Sequence, residues 1–273
     1  MRSRPLVVVV PEMPSPSRGA VTDQPSRLFR DALATRLGMP VQLVEVASHA
    51  GLFAALDGLA ADVVWAPPLV AQSFVREGRA EPVAAAVRAG RTSYPAVIVG
   101  RSDGGLKLGR SKPVSLALAA PLSAGGDRVA RLFLAAVGQR IREQRHLGSH
   151  DAVVAAVANG TMEIGATYGR FDDQMLVRAP HAPESVKVCA IAGFVPSDSL
   201  LVRTPLLGWL GKRLGDALAS FGADELRPLY ERLGVEGFAA VDASHLAPLS
   251  QLSHLAMRAV QSTSLQRHIP IAG

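Results

Sequence analysis

Two hydrophobic rhythms alternate along this chain. The run "PLVVVV" is apolar at every position and ends at Pro11, the pattern of a strand buried on both faces. The following "PSRLFRDALATRL" spaces Leu28, Phe29, Ala32, Leu33 and Leu37 at helical intervals. "VQLVEV" returns to strand character, Ser48 is placed to cap a short helix through "GLFAALDGL", and "ADVVW" closes the set as a third strand. The same order recurs further on. "PVSLALA" reads as a strand, and a helix from Asp127 carries Val129, Leu132, Phe133, Ala136, Val137 and Ile141 on one stripe. After the short segment "QRHLG", Ser149 caps "HDAVVAAVA", Gly160 stops it, and "MEIGATY" is the closing strand.

Strands that alternate with helices predict parallel sheets, here in two units of like layout and unlike residues. "VGRSDGGLKLGRSKP" is polar and glycine-rich, as a crossover between them would be. "AIAGFVPSDSLLVR" reads as a return strand, and helices follow in "LLGWLGKRLGDALASF", "DELRPLYERL" and a stretch from about Ser244 to Thr263. The expected fold class is therefore α/β. Two lobes, each a mostly parallel sheet flanked by helices, are joined by two crossing strands. Residues 1–100 with 195–273 form lobe 1, which includes the helical C-terminal tail, and 101–194 form lobe 2. Ligands of such sheets bind beyond the carboxyl ends of the strands, which points to the loops at 11–24, 47–50, 65–68, 119–126 and 167–173.

Composition narrows the function. The formal charge is +6 over 273 residues, with 5% aromatics and no compact basic run. That favours small anions over nucleic acid as partners. The lone Cys189 excludes a disulfide framework and a cysteine metal site. His245, His254 and His268 are too far apart in sequence to suggest a metal centre, and the adjacent Asp172 and Asp173 read as surface acids. Leu6 to Val10 falls short of the ~7–15 apolar residues of a signal peptide, and no run approaches the ~20 of a membrane helix. The chain as given reads as cytoplasmic, or as a periplasmic form whose leader has been removed. No nucleophile elbow, phosphate loop, zinc-protease motif or dinucleotide fingerprint is present, so no catalytic residue, metal or cofactor is expected.

One stretch draws the eye to chemistry. In "APLSAGGDRVARLFLAAVGQRIR" a small-residue loop runs straight into an amphipathic segment. A helix start of this kind offers backbone N–H groups to an anion, and it equally serves as a plain corner.

Several segments together resemble the phosphonate and phosphite substrate-binding proteins of ABC transporters. They are "ADVVWAPPLVAQSFVREGRAEPVAAAVRAGRTSYPAVIVGRSD", "APLSAGG", "GSHDAVVAAVANGTMEIGATY" and "FVPSDSLLVR", with residues 148–168 the most specific. The resemblance implies a type II periplasmic-binding fold that closes on a small anion in an interlobe cleft. It also implies roles for particular residues. Ser123, Ala124, Gly125 and Gly126 would hold the anionic head, and Tyr94, Ser149 and His150 would line it. His49 would stand where the family often has a pocket tyrosine. Trp65 and Pro67 would form a floor on lobe 1, and Thr167 and Tyr168 a wall on lobe 2. Ala124 and Gly125 depart from the hydroxyl residues of the family's anion loop. Each lost hydrogen bond to a charged oxygen is worth about 1.5–3 kcal/mol.

The expected partners are a small anionic molecule and an ABC permease. The alternatives are a cytoplasmic regulatory protein with a degenerate site and a protein partner on the C-terminal helices, and a small-molecule lyase of the same fold.

Overall fold

The computed structural model describes residues 4–11, 24–46, 48–58, 60–105, 107–109, 112–172 and 174–250. By packing, the chain divides into unit 1, Met1–Ser93 with Pro196–Leu246, and unit 2, Tyr94–Val195 with Ala247–Gly273.

Unit 1 is built on β1 (Leu6–Pro11), α1 (Gln24–Leu37), β2 (Val41–Val46), α2 (His49–Asp57), β3 (Val63–Ala66), α3 (Pro68–Arg76) and β4 (Ala80–Val87). The chain returns to it in β12 (Ser199–Arg203), α6 (Leu207–Ala219), α7 (Ala223–Leu233) and β13 (Gly237–Ala240). Its six-stranded sheet has the order β13-β4-β12-β3-β1-β2. β1 pairs parallel with β2 and β3, while β12 runs antiparallel to both β3 and β4. The sheet is therefore mixed. Phe29, Leu33 and Leu37 of α1 are buried, whereas Leu28, one residue off that face, is exposed. As predicted, Ser48 caps α2, its Oγ accepting from Gly51 N at 3.2 Å.

Unit 2 contains β5 (Ser93–Arg101), β6 (Val114–Leu118), a π turn (Ala124–Val129) continuing into α4 (Ala130–Ala136), β7 (Ile141–His146), α5 (His150–Ala158) and β8 (Ile164–Tyr168). A small hairpin, β9 (Arg170–Phe171) and β10 (Val177–Arg178), precedes β11 (Val186–Pro196). The five-stranded sheet has the order β11-β5-β8-β6-β7, with β6 parallel to β7 and β8, and β5 antiparallel to β8.

Two expectations fail here for local reasons. The helix read from Asp127 to Ile141 stops at Ala136, because Gly138 turns the backbone at φ +73° and frees Ile141 to start β7. Its buried residues are accordingly Ala130 and Leu134, not Ala136 and Ile141. The single return strand is two strands, β11 and β12, separated at Ser197 and Asp198.

Close packing fixes α5 on β8. A Cβ at Gly165 would lie 2.6 Å from Val153 Cγ1 and 3.0 Å from Val157 Cγ2, so the helix sits in the hollow that this glycine leaves.

Candidate functional site

The carboxyl ends of β6 and β8 in unit 2 bring several of the residues singled out from the sequence close together. β6 ends at Leu118, and the chain turns through Leu122, at φ 68°, into the π turn. Ser123 caps that turn. Its Oγ accepts from Gly126 N at 3.1 Å, and its carbonyl accepts from the amides of Asp127 and Arg128, both at 3.1 Å. Three amides of the helix start are thus satisfied from within. Among the described residues no acceptor is found for the amides of Ala124 and Gly125, and the Ser123 hydroxyl keeps its proton to donate.

Glycine is required in this loop by crowding rather than by backbone angle. A Cβ at Gly126 would stand 2.7 Å from Ala119 Cβ, 2.8 Å from His150 Cε1 and 2.9 Å from Ser123 Oγ. At Gly125 it would meet Tyr94 Cε2 at 3.2 Å. The rings of Tyr94 and His150 therefore lie against the loop itself.

His150 is the first residue of α5, which Ser149 caps by accepting from Ala152 N at 3.1 Å. Its Nδ1 is 3.0 Å from Oγ1 of the buried Thr167, and its ring meets Tyr168 edge-on at 4.9 Å. Tyr168 in turn meets Tyr94 edge-on at 6.3 Å. Burial pushes the His150 pKa below the ordinary 6.5, against the opposing pull of Asp151. The imidazole is thus neutral at physiological pH, with Nδ1 engaged by Thr167.

Ser123, Gly125, Gly126, Tyr94, His150, Thr167 and Tyr168 consequently form one connected cluster. Ser149 acts as a cap at its border. Ala124 is buried within the loop.

The candidates of unit 1 fare differently. Trp65 is 2% exposed and packs between Phe29, at 5.8 Å, and Phe238, at 5.5 Å, so its ring is part of the core and not a floor open to ligand. Pro67 caps α3 without a side-chain bond and is half-buried. His49 opens α2, and its side chain lies outside the described residues.

Asp127 was not anticipated from the sequence, although an acid directly after "AGG" was there to be read. It is in the first turn, with Oδ1 buried and without a hydrogen bond. Arg131 Nε at 3.5 Å and His146 Nε2 at 3.7 Å are its nearest charged or ionisable neighbours. Asp172, the foreseen surface acid, holds the β9–β10 turn by accepting from Gln174 N and Leu176 N and pairing with Arg178. Asp173, His254 and His268 lie outside the described residues. No group of three metal-binding side chains occurs among the described residues, and none of their helices is long and apolar enough to cross a membrane.

The fold is shared with solved proteins of low identity. A binding protein component of an ABC phosphonate transporter from Pseudomonas aeruginosa is 19% identical, with a TM-score of 0.70 over 94% of this chain and 88% of that one. A Xanthomonas citri protein bound to ATP is 18% identical, with a TM-score of 0.71 over 93% and 98%. PhnD1 of Prochlorococcus marinus in complex with methylphosphonate is 17% identical, with a TM-score of 0.66 over 92% and 98%. The family model described as "ABC transporter, phosphonate, periplasmic substrate-binding protein" matches residues 17–246. The two-unit α/β fold and the segments around Ser123 and His150 agree with that match: the chain belongs to the periplasmic substrate-binding proteins of phosphonate ABC transporters.

Proposed function

We propose that this protein captures a small phosphonate-class anion for an ABC permease, and that unit 2 holds the anionic head at the Ser123–Gly126 loop. The observation that carries this reading is the convergence of Tyr94, His150, Thr167 and Tyr168 on a helix start with two uncommitted amides. The amides of Ala124 and Gly125, the Ser123 hydroxyl and a ring N–H of His150 are the donors for the head's oxygens. Burial holds the His150 pKa below its ordinary value, so this residue offers the anion a ring dipole in preference to a positive charge.

This family consists of transport components and not enzymes, and it is periplasmic. That favours the transport reading over the regulatory and lyase alternatives.

Titration calorimetry against methylphosphonate, phosphite, phosphate and methanesulfonate tests the proposal. We expect heat and thermal stabilisation with the phosphorus oxyanions. At a ligand concentration about 100 times Kd the stabilisation is about 2.7 kcal/mol. The response should be lost in Ser123→Ala/His150→Ala. No response to any of the four anions overturns the assignment.

A further inference from the structure

The chain does not leave the site at Tyr168. Gly169 N donates to Pro95 O at 2.7 Å, so the extended pairing runs on into β9, whose first residue is Arg170. Register puts this arginine on the side of the sheet that bears the Ser123–Gly126 loop. Tyr168 pairs with Ala96 across β8 and β5, and Ala96 Cβ would lie 3.5 Å from a Cβ placed on Gly125. Side chains along one strand alternate between faces. A Cβ on Gly169 would point to the opposite face, 2.7 Å from Val177 Cγ1 and 2.9 Å from Val97 Cγ1. Tyr168 and Arg170 therefore share the loop's side. The guanidinium carbon of Arg170 stands 5.8 Å from the centre of the Tyr168 ring, the same ring that meets His150 at 4.9 Å.

The two arginines of the hairpin differ. Arg170 lies directly opposite Arg178 in the β9–β10 pair, a placement that sets like charges against each other. Asp172 neutralises Arg178 at 2.9 Å, whereas among the described residues no carboxylate pairs with the exposed Arg170. The neighbouring cluster is short of positive charge. Thr167, Tyr94 and Tyr168 bring hydroxyls and rings, and Asp127 adds a negative charge in the first turn. A cation–π contact at an exposed position is weaker than a charge-assisted hydrogen bond, so an oxyanion can draw the guanidinium off the ring.

We propose that Arg170 is the cation of the anion site, turning from the Tyr168 ring onto the oxygens of a head held at the Ser123–Gly126 loop. This inference rests on the anion reading of that loop. The planar fork of the guanidinium suits two oxygens of one head.

Titration calorimetry of the full chain with methylphosphonate, at several salt concentrations, tests it. Arg170→Gln should lower affinity about ten- to a hundredfold, the range of one lost charge-assisted hydrogen bond. Its affinity should also depend less on salt than the parent's does. Arg170→Lys keeps the charge without the fork and should recover part of the loss. Arg140→Gln removes the same charge at the amino end of β6, where the exposed Arg140 receives Val114 N on its carbonyl, and should bind as the parent does. Equal losses in Arg170→Gln and Arg170→Lys, with the parent's salt dependence, would make Arg170 a packing partner of Tyr168 and overturn the proposal. An equal loss in Arg140→Gln would trace the effect to net charge and overturn it too. Parental affinity in Arg170→Gln overturns it while leaving the anion assignment in place. A parent that binds none of methylphosphonate, phosphite, phosphate and methanesulfonate overturns both.

Discussion

The two units follow the same strand–helix plan and finish their strands in opposite ways. In unit 1 the end of β3 turns its large aromatic inward: Trp65 is locked by Phe29 and Phe238 and contributes packing alone. In unit 2 the ends of β5, β6 and β8 present half-buried rings and a hydroxyl around a loop too crowded for any Cβ at Gly126. A shared topology thus supplies an equivalent edge twice, and the residues placed on it decide whether it becomes core or candidate site.

Substitutions can break this contrast in order of effect. Trp65→Ala removes a core ring and should cost about 3–5 kcal/mol of stability in chemical denaturation. Anion affinity of the folded fraction, read by calorimetry, should change little. A large loss of affinity would place Trp65 in the site after all.

Gly126→Ala reverses the pattern. The neighbouring Ala119 Cβ is held by backbone and cannot yield, so we expect about 1–3 kcal/mol of destabilisation together with loss of methylphosphonate binding. Thr167→Val leaves His150 Nδ1 without its hydroxyl partner in a buried setting, and binding should weaken by about tenfold, or 1.4 kcal/mol.

Asp127→Asn acts in the other direction. It removes a negative charge from the helix start, so affinity for an anion should rise severalfold, by about 0.3–1 kcal/mol. The gain should shrink as salt is added.

The smallest effect is one of pH. His150 in the folded protein has a pKa below its unfolded value, so the unfolded chain binds the extra proton first. Its contribution to stability is complete above about pH 6.5 and is lost as pH falls through the lowered folded pKa. Thermal midpoints of the parent should therefore drop more between pH 7 and pH 5 than those of His150→Gln. Equal drops would show that His150 is not the group responsible.

The sequence made the plan of both units legible because caps and apolar runs are local signals. Ser48 and Ser149 cap the helices they were expected to cap, and β1, β2, β6 and β8 lie where the apolar runs end in turn residues. The antiparallel β12 and β13 were not legible as sheet partners, since pairing direction is decided by contacts far apart in the chain. Ile141 looked helical because its spacing fitted the stripe, and the left-handed Gly138 overrides that spacing. The burial of Trp65 depends on Phe238, more than 170 residues away, which no local window contains. Ser123 was readable as a cap, but the Tyr94 and His150 rings against its loop arise only when three strands come side by side.

The hollow at Gly165 has a bearing on how the site meets its guest. Val153 and Val157 nest there, and this seating sets where the first turn of α5, and with it the imidazole of His150, must stand. Under the proposed function the ring is aimed before an anion arrives, so little freedom is surrendered at encounter. A side chain at position 165 would lift the helix and loosen that aim, and it would show as faster release of the bound anion, even though the altered residue never touches it.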